Sequence, residues 1–197
     1  MKATLRITGG EKVRQRISSL DLSVVRPTPH IIRQALGNIL RNEIEGARCL
    51  DLFAGTGAVG IEFLSWGADF CVFVDNLGAA CQAIEGNLEK LRLKERGWVM
   101  HADAITAIRR LGERDEKIDI IFADPPYKYE LTPQIIRAIE ESSILRQDGV
   151  IIIERAKSEY LDSECGTFQL DDKRRYGQTA LYFYRRKAGN DRTAGQL

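Results

Sequence analysis

An apolar run, IDIIFADPPY, ends at Asp124-Pro125-Pro126-Tyr127: an acid, two prolines and an aromatic residue. Each proline lacks a backbone N–H and fixes φ near about −65°. Each also holds the residue before it extended, so Asp124 and Pro125 are both stretched out. The polar groups on offer are then acceptors: the Asp124 carboxylate and the carbonyls of Asp124 and Pro125. A rigid set of acceptors beside an aromatic face suits a flat partner with N–H donors, such as the exocyclic amine of a nucleobase. The same residues also serve simply to stop a strand.

A second stretch, LDLFAGTGAVGIE, places Asp51 inside an apolar run that ends in Gly55, Gly57 and Gly60. Glycines after a first strand let the backbone turn tightly and approach a nucleotide-like ligand. The spacing G-x-G-x-x-G suits an NAD enzyme equally well. Asp75 follows Gly55 by twenty residues, the place of an acid that accepts from ribose hydroxyls. Asp103, in HAD, is expected to end a third strand, where an acid can bind an adenine amine. Asp51 separates the readings, because dinucleotide folds more usually keep that strand apolar up to the first glycine.

These residues need a scaffold that brings strand ends together, and the rest of the chain supplies one. Apolar runs at RCLDLFA, FCVFVDN, WVMHAD, IDIIFADPP and GVIIIE alternate with helical stripes, such as Ala80, Ile84, Leu88 and Leu91. That alternation predicts a doubly wound, mostly parallel sheet. At the end, GTFQLDD and TALYFYRR are two strands joined by KRRYGQ, which adds an antiparallel hairpin and brings the total to seven strands. A helix is expected to start near Thr28, with Thr28 as its N-cap and Pro29 as its first residue. Thr132-Pro133 repeats that start. Asn38 is expected to brace the first helix against the glycine loop. The organisation expected is a basic extension over 1–27 that contacts a polyanion such as RNA, one α/β domain over 28–187 and a disordered tail over 188–197. Ligands in such open sheets bind at the carboxyl ends of the strands, where Asp51–Gly57, Asp75, Asp103 and Asp124 all map.

Composition bounds the rest. The 197 residues are 44% hydrophobic and 29% charged, an ordinary globular balance. No apolar run approaches the roughly 20 residues that span a membrane, and a cytoplasmic monomer is expected. Cys49, Cys71, Cys81 and Cys165 lack C-x-x-C spacing and are expected to be buried thiols, and His30 and His101 are too few for a zinc site. The net charge of +1 hides an asymmetry. Residues 1–41 hold 8 Lys and Arg against 2 Asp and Glu, residues 42–172 hold 14 against 25, and residues 173–187 hold 6 against none. Two basic ends flanking an acidic body are expected to meet as one phosphate-binding patch.

In these motifs the chain resembles class I S-adenosylmethionine methyltransferases, and more closely the RsmD-type guanine-N2 methyltransferases of bacterial small-subunit ribosomal RNA. RITGG at Arg6–Gly10, RPT at Arg26–Thr28, Asn38, LDLFAGTGAVGIE, DPPY and YGQTALYFY carry the resemblance in order along nearly the whole chain. The chain departs from the family pattern at Pro29 and Leu77. The resemblance implies S-adenosylmethionine as cofactor, no metal, and ribosomal RNA or the small ribosomal subunit as partner. It assigns catalysis to Asp124, Pro125, Pro126 and Tyr127, with Tyr127 stacked on the base. The cofactor falls to Asp51, Phe53, Ala54, Gly55, Thr56, Gly57, Asp75, Asn76, Asp103 and Ala104. The RNA is expected at Arg6, Lys12, Arg14, Arg16, Arg26 and Thr28, with Lys173, Arg174 and Arg175. The target base must be unpaired or flipped out to reach such a site. The competing readings are an N6-adenine or glutamine-amide methyltransferase, a catalytically silent RNA-binding module and an NAD oxidoreductase.

Overall fold

The computed structural model describes residues 2–21, 28–126 and 131–187. The expectations for Arg26, Tyr127 and the tail therefore lie outside the described residues. The chain opens with an antiparallel pair, β1 (Lys2–Arg6) and β2 (Arg16–Asp21). Helices α1 (His30–Ile39) and α2 (Arg41–Ile44) follow. Strand and helix then alternate through β3 (Arg48–Leu52), α3 (Ala58–Ser65), β4 (Phe70–Asp75), α4 (Gly78–Leu91), β5 (Gly97–His101) and α5 (Ala104–Glu113). The series continues through β6 (Ile118–Ala123), α6 (Leu131–Ser142) and β7 (Leu145–Ala156), and closes with β8 (Glu164–Cys165), β9 (Phe168–Tyr176) and β10 (Thr179–Arg186).

The main sheet has eight strands in the order β5-β4-β3-β6-β7-β10-β9-β8. The eighth, beyond the seven expected, is the two-residue β8, too short to leave a period-2 pattern. β3 to β7 run parallel and the last three strands antiparallel. One face packs on α1, α3 and α4 through residues such as Leu36, Phe63 and Ile84, the other on α5 and α6 through Ile108 and Ile139. The chain winds outward from β3 through β4 to β5, then returns to place β6 on the other side of β3. That reversal of strand order is where open sheets of this kind leave a crevice.

Three expectations about element ends are corrected. Thr28 is not the cap of α1. Pro29 occupies that position with an extended ψ of 149° and no side-chain cap bond, and the Thr28 carbonyl accepts from the Arg33 guanidinium at 3.3 Å instead. Thr132 is the second residue of α6, inside the helix rather than capping it. Lys173–Arg175 lie within β9, not in a turn: Tyr176 pairs with Thr179, so the connection is only Gly177-Gln178, with Gly177 at φ 59°.

The N-terminal segment is also more than a basic arm. Ile7 and Ile17 are buried in the core that α1 and α3 share. Asn87 of α4 accepts from the Ser18 N–H at 2.8 Å, and its amide donates to the Ser18 and Thr56 carbonyls, both at 3.0 Å. One buried amide thus fastens the hairpin to the glycine loop. Asn38, expected to brace α1, is exposed.

Candidate active site

β3 and β6 lie side by side in register, with Leu52 opposite Ala123. The glycine loop and the Asp124-Pro125-Pro126 segment therefore leave the sheet next to each other at the same edge. A small pocket between them is lined by Thr28, Asp51, Phe53, Gly55, Thr56 and Asp124, among others. A larger cavity of ≈ 320 Å³ lies beside it, lined by Phe53, Asp75, Asn76, Asp103, Ala104, Ile105 and Pro126, among others. Its walls are mainly apolar, with acids at the β4 and β5 ends.

Two glycines shape the loop. Gly57 precedes α3 at φ 75°, a conformation that suits residues without a Cβ. A Cβ on Gly60 would come within 2.3 Å of the Phe73 ring, so glycine there lets α3 lie close on the sheet. Asp51 holds this packing. It is 1% exposed, and its carboxylate accepts from the Gly60 N–H at 2.9 Å. Asp75 clasps the loop from the other side, accepting from the Gly55 N–H at 2.8 Å and the Leu77 N–H at 2.9 Å. Each of its oxygens has one more lone pair for a ligand. Asp103 does not end a strand; it caps α5, accepting from the Thr106 N–H at 2.9 Å. Its hydrogen bonds from Thr106 hold the carboxyl below its ordinary value. The His101 ring meets the Asn76 carbonyl at 3.1 Å on the surface.

Burial pushes the Asp51 carboxyl up from 3.8 to about 7; the Gly60 hydrogen bond opposes the rise, and the Asp75 and Asp124 carboxylates add to it. A carboxyl raised this way keeps its proton in the fold where the unfolded chain has lost it. Its contribution to stability is complete below the unfolded value and is lost as pH rises toward the folded one. Asp51→Asn keeps an oxygen for Gly60 and does not titrate. Wild-type stability in urea is therefore expected to fall relative to the variant between about pH 4 and pH 7, by at most about 1.4 kcal/mol per unit. Parallel curves would contradict the assignment.

The Asp124-Pro125-Pro126 segment has a brace that the sequence did not reveal. Arg155, at the end of β7, is buried, and its Nη1 donates to the Pro125 carbonyl at 3.2 Å. Its guanidinium also pairs with the Glu159 carboxylate. One lone pair of the Pro125 carbonyl is thereby occupied, and the other remains for a ligand.

A model of the family described as "Conserved hypothetical protein 95" matches residues 5–185. The chain belongs to this family, the RsmD-type methyltransferases. YlbH of Bacillus subtilis (strain 168) is 32% identical over 93% of this chain and 100% of its own length. Ribosomal RNA small subunit methyltransferase D of Escherichia coli (strain K12) is 29% identical over 96% of this chain and 94% of its own. The solved structure of yhhF from Escherichia coli superposes with a TM-score of 0.83 at 27% identity, covering 95% of this chain and all of that one.

In this RsmD-type chain the residues expected to meet a cofactor cluster at one edge, whereas those expected to meet RNA are scattered. The Glu11 N–H donates to the Ser65 carbonyl at 2.7 Å, and the Lys12 N–H to the Ser65 hydroxyl at 3.0 Å. The turn bearing Lys12 and Arg14 thus sits at the far end of α3 from the glycine loop, about 12 Å along the axis. Arg6 and Arg16 face each other across the hairpin, and Thr28 lines the small pocket with Asp124. The hairpin rests on α3 and α4 over β3 to β5. β9 lies five strands from β4, about 24 Å away, so among the described residues the cations of the hairpin and those of β9 stand apart. The β9 cluster is itself divided. Lys173 and Arg175 pair with Tyr182 and Ala180 on the α6 face, and Arg174 pairs with Leu181 on the other.

Proposed function

We propose that this chain methylates the exocyclic N2 amine of a guanine in small-subunit ribosomal RNA, with S-adenosylmethionine as methyl donor. The observation that carries the reading is the register of β3 beside β6, which sets the acceptor-rich Asp124-Pro125-Pro126 segment against the glycine loop. The residues present fit the cofactor. The cavity beside Asp75 has apolar walls for a nucleoside and acids for its hydroxyls and amine. Asp75 would take the ribose, Asp103 the adenine edge, and Phe53 and Ile105 the ring faces. When bound, S-adenosylmethionine supplies an electrophilic methyl group on a sulfonium. No described group of three or more His, Cys, Asp or Glu residues is placed to hold a metal ion.

The guanine amine is a poor nucleophile because its lone pair is spread into the ring. Asp124 and the second lone pair of the Pro125 carbonyl accept its two N–H bonds, fixing its orientation. They would also stabilise the positive charge that grows on nitrogen as the N–C bond forms and the methyl–sulfur bond breaks, with S-adenosylhomocysteine as the leaving group. The surplus proton leaves to water afterwards. Arg155 keeps the Pro125 carbonyl aimed, so the acceptors do not reorganise during the step.

Calorimetry against S-adenosylmethionine and NAD, followed by transfer of labelled methyl to unmodified small-subunit RNA, tests this reading. Binding of the first ligand alone, with label entering RNA, is expected; binding of NAD or absence of transfer would contradict it. Asp75→Ala is expected to weaken S-adenosylmethionine binding by about 1–3 kcal/mol through lost charge-assisted hydrogen bonds. Unchanged affinity would remove Asp75 from the cofactor site.

A further inference from the structure

The segment between β7 and β8 holds an aromatic ring out in solvent. Tyr160 is 69% exposed, while Tyr182 and Tyr184 of neighbouring β10 are each 1% exposed. The backbone carrying it is pinned on both sides. The Glu159 N–H donates to the Ala156 carbonyl at 2.9 Å, and the Tyr182 hydroxyl to the Glu159 carbonyl at 2.6 Å. The Tyr184 hydroxyl donates to the Asp162 carbonyl at 2.7 Å. An exposed ring on a fixed backbone loses little entropy when another flat group stacks on it.

One cation lies over this ring. Lys173 Nζ lies 4.8 Å from the centre of the Tyr160 ring and 4.3 Å from that of Tyr182. Arg175 follows two residues on, on the same face of β9. Of the acids nearby, Glu159 pairs with Arg155, Asp172 with Arg174 at 2.6 Å and Glu164 with Lys187 at 2.7 Å, which leaves Asp162 as the acid of this segment without an ion pair among the described residues. Lys157, Lys173 and Arg175 have no carboxylate partner among the described residues. An exposed aromatic face beside unneutralised cations matches a nucleobase and its phosphate. The same loop is tied to the catalytic segment, because Glu159 pairs with Arg155 and Arg155 holds the Pro125 carbonyl.

We propose that Tyr160 is a stacking platform for a base of the substrate RNA other than the target guanine, with Lys173 and Arg175 taking the adjoining phosphates. This rests on the reading above that the substrate is RNA. The link through Glu159 and Arg155 fixes the platform relative to Asp124, so a base stacked on Tyr160 sets where the target enters.

The test compares wild type, Tyr160→Ala and Tyr160→Phe on unmodified small-subunit RNA stripped of protein, and on assembled subunits. Tyr160→Ala is expected to lose about ten- to a hundredfold in kcat/KM on both substrates, with S-adenosylmethionine affinity and melting temperature unchanged. Tyr160→Phe, which keeps the ring, is expected within about threefold of wild type. Lys173→Gln is expected to flatten the salt dependence of RNA binding by about one unit of slope. Across RNAs that each carry one abasic nucleotide, one is expected to lower the wild type to the level of Tyr160→Ala and to leave that variant no worse. Wild-type kinetics in Tyr160→Ala would overturn the platform alone. A loss confined to assembled subunits would assign the ring to a protein contact and likewise overturn it. A wild type inactive on both substrates would overturn the RNA reading and the platform with it.

Discussion

Replacing Asp124 with alanine is expected to leave a protein that folds, binds S-adenosylmethionine and binds RNA, yet turns over about 10²–10³-fold more slowly. The magnitude is that of one well-placed electrostatic group lost from the transition state. Asp124 leaves β6 beside the glycine loop and lines the same small pocket as Thr28 and Gly55, where under the proposed function the amine would meet both acceptor and methyl donor. Asp124→Asn divides two roles. Its amide oxygen still accepts from the amine, so an acceptor role predicts more activity in Asn than in Ala. A full base that must remove the proton predicts no difference between them. Single-turnover assays at saturating cofactor measure the step itself, and wild-type turnover in Asp124→Ala would reduce the two prolines to a strand stop.

The largest expected loss of stability lies away from that pocket. Arg33 and Glu62 form an ion pair at 2.7 Å, with side chains only 1% and 2% exposed. Glu62 also accepts from the Thr8 N–H at 2.9 Å and the Thr8 hydroxyl at 3.0 Å. Arg33 also donates to the Arg6 and Thr28 carbonyls. Four pieces of chain meet at this pair: the N-terminal hairpin, the segment before α1, α1 itself and α3. Glu62→Ala leaves a buried guanidinium uncompensated and is expected to cost about 3–5 kcal/mol, a fall in melting temperature on the order of 10 °C. Burial is the main influence on both groups, lowering the Arg33 pKa and raising that of Glu62. Replacing both partners, Arg33→Met with Glu62→Leu, is therefore expected to recover most of the loss. Urea unfolding of the three proteins checks this, and a Glu62→Ala within 1 kcal/mol of wild type would contradict it.

The scaffold was legible where burial imposes a pattern. The runs around Leu50, Val72 and Ile121 are apolar because both sheet faces are covered, and they read directly as parallel strands. The loop acids were legible because their chemistry follows from short spacings, as with Asp75 and Gly55 twenty residues apart. What escaped depends on partners distant in sequence. Arg33 and Glu62 are charges on faces that a periodicity reading assigns to the core, and their presence there was the one available signal. Asn87 meets Ser18 across 69 residues and Arg155 meets Pro125 across 30, and no local pattern encodes either contact. The division of the basic run between two faces was hidden for a related reason. Adjacent residues on a strand point to opposite faces, so Lys173 and Arg175 lie on one face of β9 and Arg174 on the other.

Identifying the methylated nucleoside tests the central claim most directly. Small subunits and protein-free RNA lacking the mark would be incubated with the enzyme and methyl-labelled S-adenosylmethionine, then digested to nucleosides and resolved by chromatography and mass spectrometry. Label is expected in N2-methylguanosine at a single position and is expected to be lost with Asp124→Ala. Label in an adenine, in a glutamine side chain of a protein, or nowhere would contradict it.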